Sequence, residues 1–396
     1  MESDAGALGA VNAAPWDRFA RWPRRDAVLL LVAVLAILVA SALVPLTVGR
    51  GEIATPPSVV LAHNKAKARP RDDDLKLYDN AIRRIRHGES YYDFIAGEHR
   101  KAAYPLKPGL AVRLPTLAYL DAAMGVEGDG PTPIATGVAI ALMLGVLAAW
   151  WGRLGSELGT GAAAGRLRRI AIALLFLGAS LGLNRYYFVL HELWAGMLVA
   201  LAIGLHRPEE RGGKWLAAWL ATALALAIRE HVLPFVLLLA AYAAWRRAWR
   251  ECAAWAALVA LFLAGMAVHL HMVALHTLPG DPVGPSWLAL RGRGGWLSNV
   301  VLSSYLRFLP HWLAGPLVVL MVLGFAGWKS RLGAFATLLY LGYGLLFMVA
   351  GRNDNFYWGA VIAPAMMVGL AFTPMALASL VRAAIGAETP QSFSNS

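Results

Sequence analysis

Charge is what this chain has least of. Only 15% of its 396 residues are Asp, Glu, Lys or Arg, against roughly a quarter in ordinary soluble domains. With a mean hydropathy of +0.54, that shortage excludes a water-soluble globular fold. Cysteine is nearly absent as well: Cys252 stands alone, so no internal disulfide can form. There is no internal repeat and no long low-complexity tract.

What the chain has in quantity is apolar side chains, 58% of the total. They fall in repeated runs of roughly 15–20 residues, the pattern of membrane-spanning helices. The first run, 27–48, is too long for a signal-peptide core and is followed by no clear small-residue cleavage site. It therefore reads as a retained span. Ten spans are expected, over 27–48, 133–151, 170–184, 190–206, 215–229, 231–245, 253–272, 311–328, 333–350 and 358–381. The expected fold class is all-α, a polytopic transmembrane helical bundle. Flanking it are a segment 1–26, an extracytoplasmic loop 49–131 with interfacial helices, and a tail 382–396 whose polar end reads as disordered.

A net charge of +12 would suit nucleic acid, but the placement of the cations argues otherwise. Arg18, Arg21, Arg24 and Arg25 precede the first span; Arg153, Arg166, Arg168 and Arg169 follow the second. Arg207, Arg211 and Lys214, then Arg246, Arg247 and Arg250, then Lys329 and Arg331 occupy later breaks. Every second connection is basic, as cytoplasmic loops of a cell (inner) membrane protein are. Both termini are then cytoplasmic. The loop 49–131 holds 13 Lys and Arg, but loops of that length escape the rule. The basicity reports orientation and a lipid environment, with no nucleic-acid partner.

Two spans are short. From Trp215 to Ile228 is 14 residues, about 21 Å of helix against about 30 Å of hydrocarbon. The tip of that hairpin, Arg229-Glu230-His231, then lies below the outer surface and needs a watery recess or a protein interior, and the reading is a cavity open to the extracytoplasmic side. The alternative is that the helices extend further than their hydropathy shows.

Within the loop, the stretch DDDLKLYDNAIRRIRHGESYY (72–92) has Asp72 to Asp74 at an N-cap and first turn, where helix amides and the dipole favour negative charge. Tyr78, Ile82 and Ile85 share one face, and Arg83, Arg84 and Arg86 can reach water or lipid phosphate. This is the pattern of an interfacial amphipathic helix; a plain capped surface helix would show it too. The stretch before it, ATPPSVVLAHNKAKARPR, reads as linker.

Asp74, Tyr78 and Gly88, followed by Lys107-Pro108 in YPLKPGLAVRLPTLAYL, resemble the first luminal or periplasmic loop of GT-C glycosyltransferases. The similar families are the protein O-mannosyltransferases, aminoarabinose transferases and polyprenol-mannose-dependent transferases. The resemblance is carried mainly by 74–119, with weaker likeness over 185–231 and 351–364. It implies an integral membrane glycosyltransferase that moves a monosaccharide from a polyprenyl-phosphate donor to an acceptor on the extracytoplasmic side. The chain shows no large extracytoplasmic domain after the last span, so the expected acceptor is small, a glycan or lipid-linked.

The resemblance also assigns roles. Asp74 is the expected base, since transfer to a hydroxyl or amine needs a proton accepted as the new bond forms; Asp73 or Asp72 could replace it in register. Glu192, in VLHELWAG, matches a second family acid, or it pairs with Arg185. Lys107, Arg229 and Arg352 are expected to meet the phosphate charge, or else to be snorkelling interfacial cations. Tyr78, Asp73, Tyr104, His231 and Tyr357 complete the expected substrate-binding set. Arg291, Arg293 and Arg307 are candidate contacts to lipid phosphate or headgroups. The resemblance allows a divalent metal, but Leu106 stands where metal-binding relatives carry an acid. His269 and His271, two apart on a helix, do not face the same way, so no cofactor is called for with certainty. Competing functions are a lipid or oligosaccharide transporter or flippase, a polysaccharide ligase or polymerase, and a non-catalytic assembly subunit.

Overall fold

In the computed structural model, the alternation of apolar runs and polar breaks resolves into helices over most of the described residues. It describes residues 16–48, 52–53, 71–126, 130–208 and 214–386; the expected linker and most of the expected tail lie outside them. The first helix is Arg24–Ala42 (α1). The long connection after it forms Asp73–Arg86 (α2), Tyr91–Lys101 (α3) and Thr116–Ala123 (α4). Pro133–Leu158 (α5), Ala162–Ala179 (α6), His191–Leu205 (α7), Leu216–Ile228 (α8), Leu233–Trp245 (α9) and Trp249–Leu275 (α10) follow. Gly292–Leu302 (α11), His311–Gly327 (α12), Arg331–Val349 (α13) and Gly369–Ile385 (α14) complete the set. A two-residue antiparallel pairing of Thr47–Val48 with Glu52–Ile53 is the only regular strand pair among the described residues.

Five segments are long and apolar enough to cross a membrane: α1, α5, α10, α13 and the run Ala363–Ile385. Four shorter apolar helices, α7, α8, α9 and α12, accompany them. The third expected span became α6, displaced towards its N-terminus, with Arg166, Arg168 and Arg169 among its first eight residues. It ends at Ala179, and the 3-10 turn Ser180–Leu183 takes up the rest of the expected 170–184 span. The final span was expected from 358, but that region first makes a 3-10 stretch, Asn353–Val361, before Ala363–Met366 leads into α14.

Local chemistry sets several boundaries. The Thr132 hydroxyl accepts from the Ala135 amide at the start of α5, with Pro133 in the first turn. Ser330 does the same for α13 through the Gly333 amide. At the crossing of α12 and α14 the helices touch backbone to backbone, because a Cβ on Gly324 would collide with the Gly369 carbonyl.

Contacts sort the connections onto two ends. At one end the Arg18 amide bonds the Gly327 carbonyl and the Arg24 side chain donates to Ala384 O at 3.1 Å. Arg153, His206 and Arg331 meet there, and His206 Nε2 lies 2.7 Å from Glu251. Arg18, Arg24, Arg153 and Arg331, from separate basic connections, are among the residues found there. At the opposite end lie α2, α3 and α4, with Arg100 holding Asp281 at 2.7 Å across the loop after α10.

α2 behaves as its amphipathic pattern predicts. Asp72 stands at its N-cap position without a side-chain bond to the helix amides, and Leu75, Leu77, Tyr78, Ala81 and Ile82 are buried, the helix packing on α3 and α4. Arg84 departs from expectation: it is held by Glu98 at 3.0 Å and by Glu89, within the same connection.

Candidate functional site

The start of α2 is fixed in place by its neighbours. The Asp72 amide donates to the Tyr186 hydroxyl at 2.9 Å, and Arg71 pairs with Asp79 at 2.7 Å. That places Asp72, Asp73 and Asp74 on one wall of a cavity of about 570 Å³. The volume is within the usual range for a small-molecule site. The facing wall comes from far along the chain: Arg307 and Tyr305 from the turn before α12, and Arg352, Asp354, Asn355 and Tyr357 from the stretch after α13. Leu181, Leu190 and Phe308 make an apolar flank.

Asp74 is half-buried and accepts a hydrogen bond from the Tyr104 hydroxyl. Burial, reinforced by Asp74, pushes the Tyr104 phenol well above its ordinary range, so it remains a donor at neutral pH. Asp73, also in the lining, is largely exposed and pairs with Lys76 at 2.8 Å.

Arg113, between the two walls, was not singled out in the sequence. Its Nε donates to the Tyr78 hydroxyl at 3.1 Å and its Nη2 to the Tyr357 hydroxyl at 3.3 Å. Burial pulls this guanidinium down, but Tyr78, Tyr357, Glu192 and Glu230 together hold it well above its ordinary value. Each tyrosine oxygen is thereby an acceptor, leaving its own hydrogen free to donate into the cavity. Burial also raises Tyr78 and Tyr357, so both stay protonated.

Among the cations of the facing wall, Arg352 leans on Asp354 at 3.2 Å. Arg307 lies 5.9 Å from the Phe308 ring centroid and makes no ion pair among the described residues. The cavity thus has a carboxylate wall, an arginine wall and a tyrosine-rich floor.

Of the sequence-predicted set, Asp73, Asp74, Tyr78, Tyr104, Arg352 and Tyr357 line this cavity. Lys107 does not: its backbone is bridged to Val283 and its ammonium donates to the Pro279 carbonyl at 2.8 Å. Arg229 and Glu192 are together but enclosed, both at 0% side-chain exposure with Nε and Oε1 2.7 Å apart. Arg229 also bonds Glu230 through Nη1, so its guanidinium is enclosed between two carboxylates rather than presented to the cavity. Glu192 pairs with Arg229, not with Arg185. His231 packs its ring 4.2 Å from that of Trp358 and touches the cavity only through it. The hairpin tip therefore packs into the protein interior and not into the open cavity expected of it.

Arg113 was missed because nothing local marks it: it is a lone cation in VRLP, brought to the centre by the folding of three distant segments. Among the described residues, no three His, Cys, Asp or Glu side chains stand close enough to hold a metal ion. No family model, curated protein or solved structure matches this chain.

Proposed function

We propose that the protein is a membrane glycosyltransferase of the GT-C type, with ten spans and its cavity on the extracytoplasmic side. It would transfer a monosaccharide from a polyprenyl phosphate to a small, glycan or lipid-linked acceptor. One observation carries this reading: Asp74 and the arginines 307 and 352 line a single ligand-sized cavity together with apolar side chains. A phosphate-linked lipid needs that combination of cations beside apolar surface, and the acceptor needs a carboxylate opposite.

In this scheme the acceptor hydroxyl or amine donates its proton to Asp74 as its heteroatom bonds the sugar's anomeric carbon. The bond from that carbon to the phosphate oxygen breaks, and the leaving phosphate keeps the electron pair. Arg307 and Arg352 meet the charge that develops on it. Tyr104 fixes the Asp74 carboxylate from one oxygen, which leaves the other for the acceptor. Tyr78 and Tyr357, oriented by Arg113, donate hydrogen bonds to sugar hydroxyls.

The test is sugar transfer in proteoliposomes from a panel of polyprenyl-phosphate sugars, comparing wild type with Asp74→Asn. Transfer that disappears in the variant supports the scheme, and transfer that persists refutes Asp74 as the base. Lipid translocation without transfer by any donor would favour a flippase instead.

A further inference from the structure

The loop between α10 and α11 carries the most exposed large apolar side chains among the described residues, Leu290 at 88% and Leu288 at 80%. Such residues side by side in water would be an uncovered apolar patch. Backbone hydrogen bonds fix where they stand. Gly351 N–H donates to Trp287 O at 2.7 Å, Ala289 N–H to Val349 O at 3.1 Å, and Arg291 N–H to Met348 O at 2.8 Å. The stretch 287–291 therefore runs antiparallel beside the last turn of α13.

α13 has its own exposed face. Leu338, Leu341, Leu345 and Val349 follow one another at three- and four-residue steps, all exposed. Leu288, bridged to Ala350, and Leu290 prolong that stripe past the helix end. The 19 residues of α13 make about 28 Å of helix, close to the roughly 30 Å of a bilayer's hydrocarbon layer. Its last turn thus reaches the edge of the acyl region, and the two leucines stand at the same level. Polar groups nearby are arranged to suit. Arg291 turns inward to Asn299 Oδ1 at 3.0 Å, while Arg293 is exposed and able to reach headgroup phosphate.

We infer that residues 288–290 insert into the membrane leaflet on the cavity side, with Leu288 and Leu290 against lipid acyl chains. This rests on membrane embedding and not on sugar transfer. It has a consequence for the cavity: Trp287, the adjoining residue, lines it, so the cavity borders the lipid layer at this loop.

The single native cysteine makes the test direct. The full chain carrying Cys252→Ser and Leu290→Cys, labelled with a nitroxide, is reconstituted into phosphatidylcholine–phosphatidylglycerol vesicles. Collision rates with oxygen and with a water-soluble nickel chelate are compared, with Leu345→Cys as the lipid-facing reference. The expected result is oxygen collisions several-fold above nickel at position 290, as at 345. Nickel collisions exceeding oxygen would mean a loop in water. Low rates for both would mean protein cover, by another part of the chain or a second copy. Either result overturns the inference. Should Leu290→Cys fail to yield monodisperse protein, Leu288→Cys carries the same comparison.

Discussion

Removing the arginine at the hairpin tip tests whether it braces the fold or binds a ligand. Arg229 touches two carboxylates, Glu192 at 2.7 Å and Glu230, and is itself at 0% exposure. Arg229→Met leaves both acids beside apolar helices, with Arg113 as a remaining cationic neighbour. Uncompensated buried charge of this kind costs about 3–5 kcal/mol, which is roughly a 10²–10⁴-fold loss in the folding equilibrium. Glu192→Gln is milder, because the Arg229–Glu230 pair survives and only one hydrogen-bonding partner is weakened, at about 1–3 kcal/mol. Arg229→Met with Glu192→Met should recover part of the loss, since one of the stranded acids is gone. Unfolding in dodecylsulfate-containing mixed micelles, followed by tryptophan fluorescence, gives the ranking. If Arg229→Met unfolds with the wild-type midpoint while apparent donor affinity falls tenfold, Arg229 is a ligand group and the bracing argument is wrong.

Asp74→Asn should lower transfer by about 10²–10⁴-fold with the unfolding midpoint unchanged; Tyr104→Phe should cost less, because the carboxylate remains. Arg352→Ala should lower kcat/KM by about 10²–10³-fold, and Lys107→Ala, outside the cavity, by less than about threefold, as expected of surface changes remote from a site; equal losses would restore Lys107 to the site. Arg100, through its side-chain hydrogen bond, holds the Asp281 carboxyl down at about 2. A depressed carboxylate stabilises above its ordinary value near 3.8 and loses that effect as pH falls through 2. The Leu278 amide, bonded to Asp281 at 2.7 Å, should therefore show intrinsic-rate-corrected hydrogen exchange that is slow at pH 5 and faster below pH 3. In Arg100→Met it should be faster at both, and a flat profile would refute the tether. Gly324→Ala should destabilise by about 1–3 kcal/mol by forcing α12 off α14, while Gly342→Ala, with nothing within 4 Å of a new Cβ, should be neutral in the same unfolding assay.

The apolar periods, the basic breaks and the acids at the head of α2 are local signals; they marked a helix in each expected apolar run and α2, but not α3 or α11. The three acids at Asp72–Asp74 opened α2 as their chemistry requires, and Gly88 with φ +88° closed it where only a glycine is unstrained. α6 was misplaced because hydropathy discounts arginines, which a helix accepts readily in its first turns when they stand at a membrane surface. Extended lengths at the hairpin tip were legible, but its destination was not: whether Arg229 meets water or Glu192 depends on which helix packs beside it.

By itself, then, the sequence determined an all-helical chain rich in membrane-length apolar runs, with an acid-headed amphipathic helix after the first of them. Each of these depends on neighbours within a turn or two along the chain. Tertiary structure alone decided that Asp74 shares a cavity with Arg307 and Arg352, that Arg113 lies at its centre, and that Lys107 and Arg229 lie outside it. Those residues are separated by many spans, and no local preference encodes which side chains meet when the helices close together.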